Sequence, residues 1–192
     1  VFLAWGLFEL RLDAPLVDLR VTGRPVVLLT NIASVVIGFA MYAQALIVPQ
    51  LMQLPTATGY GLGLSMLEMG LWMMPGGLVM VLVSPLGARI SHLRGPRITL
   101  VLGGLVMAAG YGCAVLLMAT PVGLMVAVGI VSGGIGLAYG AMPALIMGSV
   151  PISETASANS FNTLARSVGT SVAAAVVGVV LAQMSVDLNG YP

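Results

Sequence analysis

The sequence predicts an all-α integral membrane protein with a partial bundle of about five transmembrane helices. Only 7% of its 192 residues are charged, 59% are hydrophobic, and the mean hydropathy is +1.08. A soluble domain of this length has a far more polar surface, with roughly 25% charged residues. Long uncharged stretches of 43, 20, 56 and 20 residues follow Arg24, Glu68, Arg97 and Arg166. Each stretch holds one or two membrane-crossing helices, because a crossing takes about 20 apolar residues and an open strand would leave backbone groups unpaired in lipid.

The limits of the five helices follow from these charges and from turn signals around Pro55 and Pro121. We expect transmembrane helices at 25–53, 60–85, 97–119, 122–148 and 158–184. Residues 1–24 are then the end of a preceding span and a cytoplasmic linker, and residues 185–192 are a truncated extracytoplasmic end. Because the chain opens on an apolar stub and closes without a polar tail, we expect it to be part of a longer protein.

The arginines predict how the bundle is oriented. All seven basic residues are arginines, and they lie before the first helix, between the second and third, or at the start of the fifth. Under the positive-inside rule these segments are cytoplasmic, and the chain ends outside. The net charge of +1 is too small to indicate a nucleic-acid partner.

The first helix carries a polar and aromatic face. At 100° per residue, five side chains fall within about 60° of one another: Asn31, Gly38, Tyr42, Pro49 and Gln53. Such a face is costly against lipid and should lie against protein or a water-filled cavity. Two interpretations stay open, helix packing and contact with a transported substrate, and the second makes Asn31 and Tyr42 candidates for a substrate cavity.

The second helix combines an aromatic ring, methionines and the only acid inside a predicted span. Trp72, Met69 and Met73 can form an adaptable apolar wall suited to varied ligands, although methionines at helical spacing are also common in plain cores. Glu68 is a candidate for proton coupling, because intramembrane carboxylates often carry protons. Its place near the outer end of the helix leaves a second interpretation, in which it reaches interfacial water.

The third helix, 97–119, is a plain apolar run, whereas the fourth has a glycine face. Gly129, Gly133, Gly136 and Gly140 recur at spacings of three and four residues. Small residues in this pattern let helix backbones approach closely in lipid, so we expect them to serve helix packing.

The fifth helix places a polar stripe on one side of its cytoplasmic half. The stripe contains Asn159, Asn162, Thr163, Arg166, Gly169, Thr170 and Ala173. Arg166 is either a structural anchor, whose long side chain reaches the interface or a partner, or a contact for substrate.

The sequence contains no recognisable catalytic pattern of a soluble enzyme. The chain has one histidine, His92, and one cysteine, Cys113, and no Ser/His/Asp arrangement, metal-ligand cluster or phosphate-binding loop. We therefore expect no catalytic residue, no metal, no cofactor and no ATP-driven pumping by this chain.

Four segments together carry a family resemblance: LRLDAPLVDLR at 10–20, VPQLMQ at 48–53, GLWMMPG at 70–76 and ETASANSFNTLARSVGTS at 154–171. They resemble the C-terminal half of the fourteen-span drug:proton antiporters of the major facilitator superfamily. Residues 88–97 resemble the superfamily's cytoplasmic motif, Gly-x-Leu-x-Asp-Arg-x-Gly-x-Arg. Arg89, Gly95 and Arg97 match that motif, whereas its acid is replaced by His92 and its following arginine by Leu93.

The resemblance implies that the five helices are spans nine to thirteen of a secondary transporter in a bacterial plasma membrane. Such a protein would export drugs or other amphipathic or cationic compounds in exchange for protons. Its partners would be the lipid bilayer and its own N-terminal half. Arg89, Gly95, Arg97 and Arg166 would belong to the cytoplasmic motif and gating elements. Two alternatives remain, a proton-coupled metabolite symporter and a membrane scaffold subunit without transport of its own.

Overall fold

The computed structural model describes residues 24–183, and over that range all regular structure is helical. Five long helices are present: α1 Pro25–Gln53, α2 Met66–Arg94, α3 Pro96–Leu117, α4 Pro121–Met147 and α5 Thr155–Gln183. By length and composition, each can cross a membrane. The predicted all-α membrane bundle is confirmed. The predicted preceding span and linker, apart from Arg24, and the predicted extracytoplasmic end lie outside the described residues.

Proline begins three of the five helices. Pro25, Pro96 and Pro121 occupy the first turn of α1, α3 and α4, where a missing N–H costs no hydrogen bond and the fixed φ suits a helix. At α4 the Thr120 hydroxyl also accepts a hydrogen bond of 3.1 Å from the Gly123 N–H. These starts follow directly from local sequence.

The α4 helix lies at the centre of the bundle. It packs against α2 and α3, while α1 packs against α5 and, over a smaller area, against α4. Every residue from 131 to 138 is buried. The largest apolar cluster joins α1, α3 and α4 and contains Ile37, Met107, Val131, Ile135, Ala138 and Met142. The arrangement gives α4 the role of a shared wall between two helix pairs.

The α2 helix differs from its predicted limits of 60–85. It begins at Met66, and it runs through Pro85 as far as Arg94. The prediction of a loop between residues 85 and 97 is therefore wrong. The arginines mark where the helix leaves the apolar layer, but they do not interrupt its backbone hydrogen bonds. Gly95 ends α2, and α3 begins with the next residue.

Gly95 has a φ of +90°, a value that L-residues rarely adopt, so it is the residue that allows a one-residue junction. We expect Gly95→Ala to lower the free energy of unfolding by about 1 kcal/mol through backbone strain, because open space surrounds the added methyl group. Titration of the full-length protein with SDS measures this loss. Gly104→Ala is the control, since Gly104 also has open space but lies within helical backbone. An equal loss in both variants would contradict the explanation.

One end of the bundle gathers the arginines. The Arg24 guanidinium donates a 2.8 Å hydrogen bond to the Ser149 carbonyl, which joins the start of α1 to the end of α4. Arg94 and Arg97 line a cleft with Ser149 at the same end. The positive-inside rule predicts this end of the bundle to be cytoplasmic.

Candidate functional site

The α1 and α5 helices approach each other through two glycines. A methyl group at Gly169 would overlap the carbonyl of Val35, and one at Gly38 would overlap the carbonyl of Arg166. The two backbones therefore touch without intervening side chains, a form of packing that is common between helices in lipid. This contact determines where the polar side chains of both helices lie.

A buried polar cluster lies beside this crossing. Asn162 of α5 donates hydrogen bonds from its amide nitrogen to Asn31 Oδ1, at 3.0 Å, and to Ser34 Oγ, at 2.6 Å. The Ser34 hydroxyl in turn donates to the Met142 sulfur of α4 at 3.3 Å. Asn31 is only 5% exposed. Of the two interpretations of Asn31, its burial and its hydrogen bond to Asn162 favour helix packing, and its place in a substrate cavity stays a prediction.

Arg166 lies at the junction of α1, α4 and α5, near the polar cluster. Its guanidinium stacks on the Tyr139 ring, 4.6 Å from the ring centre, and donates a long hydrogen bond of 3.4 Å to Thr163 Oγ1. The Tyr139 hydroxyl contacts the Met41 sulfur at 3.6 Å. Arg166 and Tyr139 are half-buried and Thr163 is exposed, so this group presents charge and aromatic surface on an open face of the bundle.

The remaining cavity candidates lie towards the opposite end from the arginines. Met69, Trp72 and Met73 are partly buried and pack on a cluster formed by Val48, Met52, Leu124 and Val128. The Gln53 amide donates to the Met69 sulfur at 3.0 Å. Tyr42 is 37% exposed and lies about 9 Å along α1 before Val48. The structure thus brings the α2 candidates together and places Asn31 elsewhere.

Glu68 takes part in a capping box at the start of α2. Its carboxylate accepts hydrogen bonds from the Ser65 N–H, at 2.8 Å, and from the Ser65 hydroxyl, at 2.7 Å, while the Glu68 N–H donates to Ser65 Oγ at 3.3 Å. These reciprocal bonds satisfy backbone donors that a helix start leaves free. Glu68 is exposed, in agreement with the interpretation that it reaches interfacial water.

The four glycines of α4 do not behave alike. Added methyl groups at Gly136 and Gly140 would lie 2.8 Å and 3.0 Å from carbonyl oxygens of α2, so these two positions are close helix contacts. Gly133 only reaches Val79, at 3.5 Å, and Gly129 has no neighbour within 4 Å. The expectation of close packing is therefore wrong for Gly129, which instead borders an apolar cleft of about 480 Å³ between α2, α3 and α4.

A comparison with known protein families identifies the family of this chain. The model of the Major Facilitator Superfamily matches residues 7–174, which is most of the chain. The chain belongs to the major facilitator superfamily. The uncharacterized MFS-type transporter YhcA of Bacillus subtilis (strain 168) is 30% identical over 98 residues. That match covers 51% of the chain and only 17% of the relative. No solved structure gives a significant match.

Residues 88–97, which resemble the superfamily's cytoplasmic motif, fall at the α2–α3 junction. Arg89 and Arg97 are exposed on either side of this junction, and Gly95 supplies its turn. These residues thus occupy a helix end and a single-residue turn rather than the expected loop.

Within residues 24–183, no three His, Cys, Asp or Glu side chains lie close enough together to hold a metal ion.

Sequence reasoning missed three contributors to this site. Tyr139, Ser34 and Met142 complete the contacts of Arg166 and Asn162, but each looks ordinary in an apolar helix. One available signal was the spacing of Asn31 and Ser34, which puts two polar groups on one face of α1.

Proposed function

We propose that this chain forms most of the C-terminal helical domain of a secondary transporter in a bacterial plasma membrane. The whole protein exports drugs or other amphipathic compounds in exchange for protons. Membership of the superfamily supports transport across a membrane. The lipid bilayer and the N-terminal half of the same protein are its proposed partners.

The single observation that carries this proposal is the position of Arg166. It lies eleven residues after the start of α5, about 16 Å along the helix axis, and directly before the 20 uncharged residues 167–186. A charged side chain that packs among helices at the edge of such a stretch faces the bundle interior or a water-filled cavity, and such charges often border the path of a substrate or ion. The face that carries Arg166 and Tyr139 is therefore proposed to border the translocation pathway, opposite the N-terminal half.

The wall of this pathway is proposed to be apolar and adaptable towards its outer end. Trp72, Met69 and Met73 are only partly buried by their neighbours, and Tyr42 is exposed. Flexible thioethers beside aromatic rings can repack around ligands of different shape, which suits export of varied compounds.

Proton coupling by Glu68 is part of the proposal. In the full-length protein reconstituted in vesicles, we expect Glu68→Gln to lower the initial rate of export driven by a pH gradient about tenfold or more. Glutamine can take the place of glutamate in a capping box, so this variant removes the charge and keeps the helix start. The assay follows two amphipathic dyes, cationic ethidium and anionic anilinonaphthalene sulfonate, together with the pH inside the vesicles.

Substrate exchange without a gradient is the control, and we expect it to survive in the Glu68→Gln variant. Glu68→Ala removes both charge and cap and shows what loss of the cap does. Unchanged coupling in Glu68→Gln would remove Glu68 from the mechanism. Proton movement in the same direction as the dye would indicate symport, and transport of neither dye by the unmodified protein would favour a scaffold.

A further inference from the structure

We propose that Arg166 is a binding site for an anionic group, a carboxylate or sulfonate, carried by the transported compound. This inference rests on the proposed transport function and names the chemistry of its substrate. Its basis is the set of contacts around the Arg166 guanidinium, which fix its position and leave most of its donors free.

The guanidinium has spare hydrogen-bonding capacity. It carries five N–H donors, and within residues 24–183 the contacts found for it are one long hydrogen bond to Thr163 and the stack on Tyr139. The two acids in this range lie elsewhere, Glu68 in the cap of α2 and Glu154 in the turn before α5. The described part of the chain therefore gives the guanidinium no carboxylate partner.

The side chain is also held in one place. Its stem passes over Gly38, where the Arg166 Cγ lies 3.0 Å from the position that a methyl group would take. Only a residue without a side chain leaves this room on α1. The Tyr139 ring then covers one face of the guanidinium. A donor group fixed in this way loses little conformational entropy when it binds a ligand, which favours affinity.

The position of the site between helices favours a substrate over a lipid headgroup as the source of the anion. The Arg166 guanidinium stacks on Tyr139 of α4 and its stem passes over Gly38 of α1, so the group lies at the α1–α4–α5 junction rather than on the outer surface of α5. An unpaired charge between helices is costly, and a carboxylate or sulfonate can accept two parallel N–H bonds from the guanidinium. An amphipathic anion would place its charged group here and its apolar part along the helices.

The first part of the test measures the local potential without any transport. In full-length protein with its native cysteines replaced, Thr163→Cys supplies a thiol next to Arg166, and its rates with a negatively and a positively charged methanethiosulfonate reagent are compared. We expect Arg166→Gln to lower the rate with the negatively charged reagent relative to the rate with the positively charged one about fivefold or more. The substitution removes a positive charge a few ångströms from the thiol. Arg97→Gln, at the arginine end, is the matched control and should leave the ratio unchanged.

The second part asks whether an anion occupies the site. We expect 4-biphenylcarboxylate to slow labelling of this thiol at least threefold more than the neutral 4-biphenylcarboxamide, and only when Arg166 is present. Three results would overturn the proposal. They are a ratio of labelling rates that Arg166→Gln leaves unchanged, a thiol at position 163 that does not react, and equal protection by both compounds. An acid from the N-terminal half that already pairs with Arg166 would give the last of these results, because it would occupy the guanidinium. Labelling needs no proton gradient, so its failure is distinct from failure of the transport assay.

Discussion

Replacing Gly169 with alanine is expected to lower the free energy of unfolding of the full-length protein by about 2–3 kcal/mol. The added methyl group would overlap the Val35 carbonyl, and backbone atoms of two helices cannot yield as the end of a flexible side chain does. The helices must separate instead, which also stretches the hydrogen bonds of Asn162. Titration with SDS in mixed micelles, followed by circular dichroism, measures the loss.

Gly178→Ala is the matched control for this prediction. Gly178 lies on the same helix, and an added methyl group there meets no atom within 4 Å. We expect its unfolding midpoint to stay at that of the unmodified protein or to rise slightly, because alanine is the better helix former. If both variants lost stability equally, the α1–α5 contact would not be the cause.

Replacing Asn162 with alanine is expected to cost about 2 kcal/mol of stability. The substitution removes two hydrogen bonds and leaves Asn31 Oδ1 unpaired while it is buried between α1 and α5. The Asn31 amide nitrogen already makes no hydrogen bond within the described residues, so this side chain would lose its one recorded partner. The same SDS titration measures the change.

A double-mutant cycle separates the hydrogen bond from general loss of packing. Asn31→Ala together with Asn162→Ala should cost less than the sum of the two single variants, because no unpaired partner remains. Asn159→Ala serves as the control, since Asn159 is an exposed residue of the same helix. Full additivity of the two single variants would contradict a direct interaction.

The membrane fold was predictable because charge and length are local properties. Uncharged stretches long enough to cross a bilayer define the helices, whichever neighbours each helix meets. Helix ends were less predictable, and α2 shows why. Its predicted end at 85 rested on Arg89, the charge that closes the uncharged stretch, whereas backbone hydrogen bonding continues to Gly95.

The site was only partly predictable, since its contacts join distant parts of the chain. A stripe of glycines identifies a helix face but not the partner that covers it, so Gly136 and Gly129 look equivalent in sequence and differ in the structure. Asn31 likewise gives α1 a polar face in the sequence pattern, whether its partner is Asn162 or a ligand. Glu68 is different, because the spacing of Ser65 and Glu68 is itself a capping signature that can be read from sequence, although the predicted helix start at 60 did not use it.

The pairing of Asn162 with Asn31 also sets an order for assembly of the bundle during synthesis. The two residues are 131 positions apart. At about 5–20 residues per second, roughly 7 to 26 s pass between the synthesis of α1 and that of its partner in α5. The α2, α3 and α4 helices are completed within that interval, whereas Asn31 must wait for the last helix. The polar face of α1 is thus the part of this bundle that depends longest on the insertion machinery or on water for its hydrogen bonds.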